Sequence, residues 1–258
     1  MRTRTKLTIA YLGGPFLGWQ RQPTGRTVQG EIERALATMT SGLEAAVVGA
    51  GRTDAGVHAA GQVAHVDLSA MIPPDAMVRA LNGLLPDEIR VRSAVRVDER
   101  FHARRSARGK LYCYRVRWRP SPWPWLGARC AVMPRVVAFD ELGRAAARLV
   151  GCHDFASFTV PEAAAEPTVR ELYRVQVSPR RDGLDLGFIG SGFLRYQVRR
   201  MVAALLEVGR DRLCVDDVQE MIASPQPGRP LPTAPARGLT LERVLYRPTP
   251  LLEHLRNS

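Results

Sequence analysis

Along the first hundred or so residues the apolar pattern switches between the period of a strand and that of a helix, and this narrows the fold more than any other feature. Residues 3–11 alternate as a strand through Leu7, Ile9 and Tyr11. Residues 27–40 carry Val28, Ile32, Leu36 and Met39 at helical spacing. "EAAVVGA" (44–50) and "GQVAHVDL" (61–68) read as strands, Pro73 and Pro74 open a second helix running to about Leu85, and "IRVRSAVRV" (89–97) alternates as a fourth strand. The order β-α-β-β-α-β is the split, ferredoxin-like pattern.

The second half repeats that rhythm with little sequence identity. A strand at 110–118 is followed by a helix at 139–150, strands at 169–178 and 183–190, a helix at 194–208, a short helix at 215–223 and a strand at 239–246. The expectation is an α+β protein of two ferredoxin-like domains, 1–104 and 105–247, with residues 248–258 as a loose or docking tail. Two such sheets can join side by side, with helices on one face and an open basic cleft on the other. "RPSPWPW" (119–125) and "SPQPGRPLPTAPARG" (224–238) read as surface loops of the second domain.

In 258 residues, 45% of them hydrophobic, no apolar run approaches a membrane span. The N-terminus is basic and then strand-like, with no signal-peptide apolar block, so a soluble, cytoplasmic protein with no membrane association is expected. Cys113, Cys130, Cys152 and Cys214 form no CxxC pair, and the five histidines show no HxH or HExxH spacing. That disfavours a zinc ribbon or disulfide framework. A net charge of +12 points to a polyanionic partner, nucleic acid above all. The near absence of lysine among the basic residues is the mark of a high-GC genome, but arginine bias alone creates no net charge.

The charge is uneven. Arg100, Arg104, Arg105, Arg108, Lys110, Arg115, Arg117 and Arg119 fall in one stretch without an acid, with Tyr112, Tyr114 and Trp118 among them. On a strand those aromatics share a face. The alternation suits phosphate pairing with base stacking. It suits equally a half-buried strand with an aromatic core side and a solvated basic side.

"GAGRTDAGVHAAGQVAHVD" (49–67) holds Asp54 two residues after Arg52 and four before His58, among Gly49, Gly51, Gly56 and Gly61. Glycines permit positive φ and close backbone approach, so the loop can project Asp54 towards a ligand. A neighbouring arginine keeps a carboxylate ionised, which suits a nucleophile or a stabiliser of developing cation. Three readings compete: an aspartate capping its own turn, half of an aspartic-protease pair, and a single catalytic Asp acting at a sugar carbon of a nucleic acid. The protease needs a second DTG-like site, which the chain lacks.

The same stretch closely resembles the signature loop of the TruA-type tRNA pseudouridine synthases. Further matching segments follow in that family's order: "GWQRQ" (18–22), "LNGLLPDEIRV" (81–91), "FHARRSARGKLYCYRV" (101–116), "DFASF" (154–158), "TVREL" (168–172), "GFLRYQVRRMVAALLEVG" (192–209) and "APARGLTLERVLY" (234–246). Tyr11-Leu12-Gly13 stands where the family has Tyr-Asp-Gly, Tyr196-Gln197 replaces a His-Met-like pair, and Ala203 replaces a common glycine. The resemblance implies isomerisation of uridine to pseudouridine in the anticodon stem-loop of tRNA, at positions 38, 39 and 40, by a homodimer with no cofactor and no metal.

It also implies the roles. Asp54 attacks C1′ of the ribose or stabilises its oxocarbenium character. Arg52 fills the space left by the flipped base or holds phosphate, or else pairs with Asp54. Tyr112 stacks on the uracil and helps remove the C5 proton; residues 112 and 114 share a face, so the choice of Tyr112 comes from the resemblance. Arg199 pairs with Asp54 or is a surface arginine. His58 shapes the loop more than it moves protons, though it stands with the substrate-binding candidates. Arg104, Arg105 and Lys110 hold phosphates. The competing classes are a non-catalytic RNA-binding module of this fold and a small-molecule enzyme on a ferredoxin-like scaffold.

Overall fold

A computed structural model describes residues 3–42, 45–69, 71–121, 123–163 and 167–247. They fall into two compact units, one running to Ala107 and including Thr240–Tyr246, the other spanning Arg108–Leu239. The first unit contains β1 (Thr3–Tyr11), α1 (Val28–Met39), β2 (Val48–Gly49), β3 (His58–Leu68), α2 (Pro74–Leu84) and β4 (Ile89–Arg96). The second contains β5 (Gly109–Arg117), α3 (Pro124–Gly127), β6 (Ala131–Val132), α4 (Phe139–Arg148), β7 (Gly151–Asp154), β8 (Val169–Arg180), β9 (Gly183–Gly190), α5 (Gln197–Val208) and α6 (Val215–Ala223). A last strand, β10 (Leu239–Leu245), follows.

In the first unit β1 is central, antiparallel to β3 on one side and β4 on the other. The free edge of β3 is shared: β2 pairs with its Ala64–His65 region, and β10 runs parallel to its His58–Ala59 end. Thr5, Leu7, Ile9 and Tyr11 of β1 are buried while the residues between them are half-exposed, the period-2 signature of a one-sided core. Val28, Ile32 and Leu36 of α1 and Met77 and Leu81 of α2 are buried as well, with α2 lying against β4 and α1 against α2. Each buried side chain of this size contributes about 1.5–3 kcal/mol. Thr27 caps α1 by accepting from Gly30 N, and Pro74 starts α2 where no amide donor is needed.

A cross-strand pair ties the chain beyond β4 to this sheet. Arg4 and Asp67 are register partners, and the guanidinium grips the carboxylate through Nε–Oδ1 at 2.7 Å and Nη2–Oδ2 at 2.6 Å. Its remaining nitrogen donates to the carbonyls of Phe101 (2.8 Å) and Glu99. The segment after β1 turns back under the β2–β3 connection, where a Cβ on Gly13 would stand 2.0 Å from the Val57 carbonyl oxygen.

The second unit has the antiparallel order β5-β9-β8-β7, with β6 parallel beside β5. A two-residue turn joins β8 to β9, with Arg180 opposite Gly183. In α5 nearly every residue is buried, so it packs on most of its circumference.

Several expectations change. The strand at 44–50 reduces to Val48–Gly49 among the described residues, and Glu44 lies outside them. The strand expected at 61–68 starts three residues earlier, at His58, because β1 and β10 supply partners there. The helix expected from 194 starts at Gln197, after Tyr196 adopts a left-handed φ of 62°. β7 and the short α3 and β6 were not anticipated, since four residues or fewer leave no periodicity to read. The strand at 239–246, assigned to the second domain by its place in the chain, groups with the first unit through its parallel pairing. The units part after Ala107 rather than after 104. The proposed tail, 248–258, lies outside the described residues.

Tyr112 and Tyr114 do share a face of β5, but with Val116 it is the buried face. The arginine side is paired rather than open at Arg117, which reaches Asp185 at 2.9 Å. For Tyr114, wholly buried, the core reading holds.

Two outcomes follow. Gly13→Ala drives a methyl into backbone that cannot rotate away, costing about 2–3 kcal/mol and lowering Tm by roughly 5–10 °C for a chain of this size, measurable by thermal unfolding. His65 is 4% exposed, and its imidazole is pushed down to about 4, first by burial, then by the charges of Arg4 and His102. In the unfolded chain it titrates near 6.5. The unfolded state therefore binds more protons between these values, and stability present above pH 6.5 is lost as pH falls towards 4. The urea midpoint should drop between pH 7 and pH 5, less steeply in His65→Asn; a flat midpoint contradicts this.

Candidate active site

The connection between β2 and β3, residues 50–57, is tied down on both sides of Asp54. On the upstream side Ala50 N donates to Val63 O (2.7 Å) and Gln62 Nε2 donates to Gly51 O (2.9 Å). Trp19 N donates to Thr53 O (3.1 Å), and the Thr53 hydroxyl meets the Tyr11 hydroxyl at 2.8 Å. Downstream, Val57 N closes a turn on Asp54 O (3.1 Å), Gly56 N reaches Phe16 O (3.3 Å), and Gly13 N donates to Nδ1 of His58 (3.0 Å). Gly56 takes φ 78°, a left-handed value that glycine adopts without strain.

Trp19 is the floor. Its indole lies so close under Gly49 that a Cβ there would stand 2.6 Å from Nε1, and its ring is 6.1 Å from that of Tyr11. Burial pushes the Tyr11 hydroxyl above the usual tyrosine range, so it stays a neutral hydrogen-bonding group under the loop.

This anchoring sorts the loop side chains. Thr53 and Val57 point inward, while Arg52 is exposed and Asp54 half-exposed. The loop thus presents a guanidinium and a carboxylate two residues apart on its open side. Arg52 Nε donates to Gln20 Oε1 at 3.3 Å, which directs its stem along the "GWQRQ" segment. His58 is 3% exposed at the base of the loop, and the bond to Gly13 requires an unprotonated Nδ1. That bond ties the start of β3 to the segment after β1.

Asp54, Arg52, His58 and Arg104 belong to the first unit; Tyr112, Lys110 and Arg199 belong to the second. Arg104 is exposed on the turn after Ala103. In the second unit Tyr112 is 6% exposed and meets Phe193 edge to face, with centroids 5.2 Å apart. Lys110 is half-buried on the same strand, opposite Gly190.

Arg199 lies in the first turn of α5. Its Nε donates to Ala234 O at 2.7 Å, Ala234 N donates back to Arg199 O at 3.2 Å, and its guanidinium carbon stands 5.2 Å from the Tyr196 ring centroid. The unit therefore brings Tyr112 and the 193–199 turn together through Phe193. Phe193, Tyr196 and Trp19 carry no charge or motif chemistry, so only their presence inside matching segments could have singled them out, and Tyr11 is legible only as an apolar strand position. Among the described residues no three His, Cys, Asp or Glu side chains group as metal ligands would, and no helix is long and apolar enough to cross a membrane.

A family model described as tRNA pseudouridine synthase matches residues 7–104 and 145–247. A tRNA pseudouridine synthase A of Lactobacillus helveticus is 43% identical over 249 residues, covering 95% of each chain. Its counterpart in Geobacillus kaustophilus is 40% identical over 263 residues, 99% of each chain. That of Exiguobacterium sp. is 40% identical over 243 residues, 94% of this chain and 98% of its own. Likeness at this level, end to end and across both units, makes the chain a member of the tRNA pseudouridine synthase family, which are isomerases.

Proposed function

We propose that the protein isomerises uridine to pseudouridine in the anticodon stem-loop of tRNA, at positions 38, 39 and 40, with Asp54 as the reacting carboxylate. The observation that carries this is the loop itself: a half-exposed Asp54 beside exposed Arg52, on a backbone anchored before and after it. A catalytic group needs a rigid support that leaves it accessible.

The reaction requires the target nucleotide to leave the stack, at a cost of a few kcal/mol. Arg52, exposed on the same loop, fills the vacated place or holds the adjoining phosphate. Asp54 attacks C1′, or stabilises its cationic character, as the N1–C1′ bond breaks. The detached uracil rotates and C5 bonds to C1′; the C5 proton is removed and N1 gains one, so the sum is redox-neutral. Tyr112 stacks on the uracil and its hydroxyl takes part in removing the C5 proton. Arg199 supports the Asp54 carboxylate, and Arg104 and Lys110 bind phosphates. We read each unit as a ferredoxin-like half with an arginine-rich sheet face for the tRNA, and the working protein as a cytoplasmic homodimer.

Tritium release from tRNA carrying 5-tritiated uridine measures the chemistry. Asp54→Asn keeps the shape and removes the nucleophile, so turnover should fall roughly ten-thousand-fold or more while tRNA binding stays near wild type. Substantial release by that variant sinks the assignment. Tyr112→Phe keeps the stacking ring and removes only the hydroxyl; turnover should fall roughly a hundredfold or more with binding retained. Unchanged turnover would leave Tyr112 a stacking role alone.

A further inference from the structure

We propose that His102 is the positioning residue that holds Arg104 and Arg105 ready for RNA phosphate. The inference rests on the reading of that arginine pair as phosphate contacts.

The consecutive backbone N–H groups of Arg104 and Arg105 both donate to Nδ1 of His102, at 3.2 and 3.3 Å. His102 closes the turn a second time: its own N–H donates to Ser106 Oγ (3.0 Å) and its carbonyl accepts from Ser106 N (2.8 Å). The residue between is locked as well. Ala103 is wholly buried, donates to Nδ1 of His65 (3.2 Å), and accepts from the Tyr246 hydroxyl (2.7 Å). The rings of His65 and His102 lie 4.9 Å apart. Phe101 is held from the other side, its carbonyl by Arg4 and its ring 5.1 Å from that of Tyr246.

The backbone of 101–106 is thus fixed to the first unit's sheet, while the side chains of Arg104 and Arg105 are exposed. Two adjacent guanidinium groups repel one another. Ordering the turn that carries them only on binding would cost backbone conformational entropy that a pre-formed turn avoids.

The chemistry explains why the acceptor is an imidazole. An aspartate at 102 could accept the same two N–H groups, but its charge would compete with phosphate for the arginines above it. A neutral imidazole accepts without competing, provided Nδ1 carries no proton. Burial first, then the charges of Arg105, Arg4 and Arg104, hold the His102 imidazole below its ordinary range, which keeps it an acceptor at neutral pH.

The test uses acceptor geometry. In His102→Asn, Oδ1 occupies the branch position of Nδ1; in His102→Gln the acceptor lies one bond further out; His102→Ala has none. KM and kcat for tRNA are measured by tritium release for these three and for the Arg104→Ala/Arg105→Ala double variant, with wild-type circular dichroism required of each. The double variant, His102→Ala and His102→Gln should each raise KM roughly tenfold with kcat within about twofold, while His102→Asn stays within about twofold of wild type in both. If the double variant raises KM but the three His102 variants behave alike, positioning by His102 is overturned and the arginine reading stands. If the double variant leaves KM unchanged, the arginine reading fails and the proposal with it. Should His102→Ala not fold, the contrast of Asn with Gln decides alone.

Discussion

Close backbone contact between the chain after β1 and the β2–β3 connection is the constraint on which the Asp54 loop depends. Gly13 sits where any Cβ would meet the Val57 carbonyl at 2.0 Å, and Gly49 sits where one would meet the Trp19 indole at 2.6 Å. Without those side chains two strand-linking segments approach closely enough for Thr53 O, Phe16 O and Gly13 N to find partners across the gap. A buried backbone polar group must be bonded somewhere. Here the bonds that satisfy the loop are also the ones that hold it still, and Thr53 adds a side-chain anchor on the buried Tyr11 hydroxyl. The half-exposed carboxylate between these anchors is therefore presented on stiff backbone, though the connection carries no regular secondary structure.

The second unit reaches a comparable rigidity by other means. Arg200, 6% exposed, donates to the carbonyls of Thr159 (2.6 Å) and Arg229, and burial lowers its pKa. Ser157 accepts from Gln226 N at 2.9 Å, and the Tyr114 hydroxyl donates to Pro235 O at 2.9 Å. The proline-rich stretch 224–238 is thus fastened at several points, and its Ala234 carbonyl holds Arg199. Five prolines stiffen the segment by fixing φ. The composition reads as a surface loop, and most of the stretch is exposed; the bonds also make it a support for the start of α5.

How much was legible depended on length and on locality. β1 and α1 follow from period because a long one-sided run can satisfy a core in one way only, whereas α2 is marked by its opening prolines and α5, buried on most of its circumference, is placed only to within three residues at its start. β7, at four residues, and β2, at two, take their form from neighbours and left no pattern. Tyr112 and Tyr114 were correctly put on one face of a strand, but alternation alone does not say which face is covered, and the aromatic side proved to be the buried one. Asp54, Arg52 and Tyr112 could be picked out as residues by motif; Phe193 against Tyr112 and His102 under Arg104 and Arg105 could not, since such contacts depend on how turns close.

By itself the sequence determined the element types, the candidate carboxylate, the basic character of 100–119 and the family, because period, charge and motif are properties of residues near one another along the chain. Tertiary structure alone decided that the last strand returns to β3, more than 170 positions upstream. It also decided that His58 is tied to Gly13 and that the Arg104–Arg105 turn is pinned by His65, His102 and Tyr246. Those are hydrogen bonds and packing contacts between groups far apart in the chain or around a turn. Their energy exists only once the backbone has brought donor and acceptor within about 3 Å, a distance that no local pattern encodes.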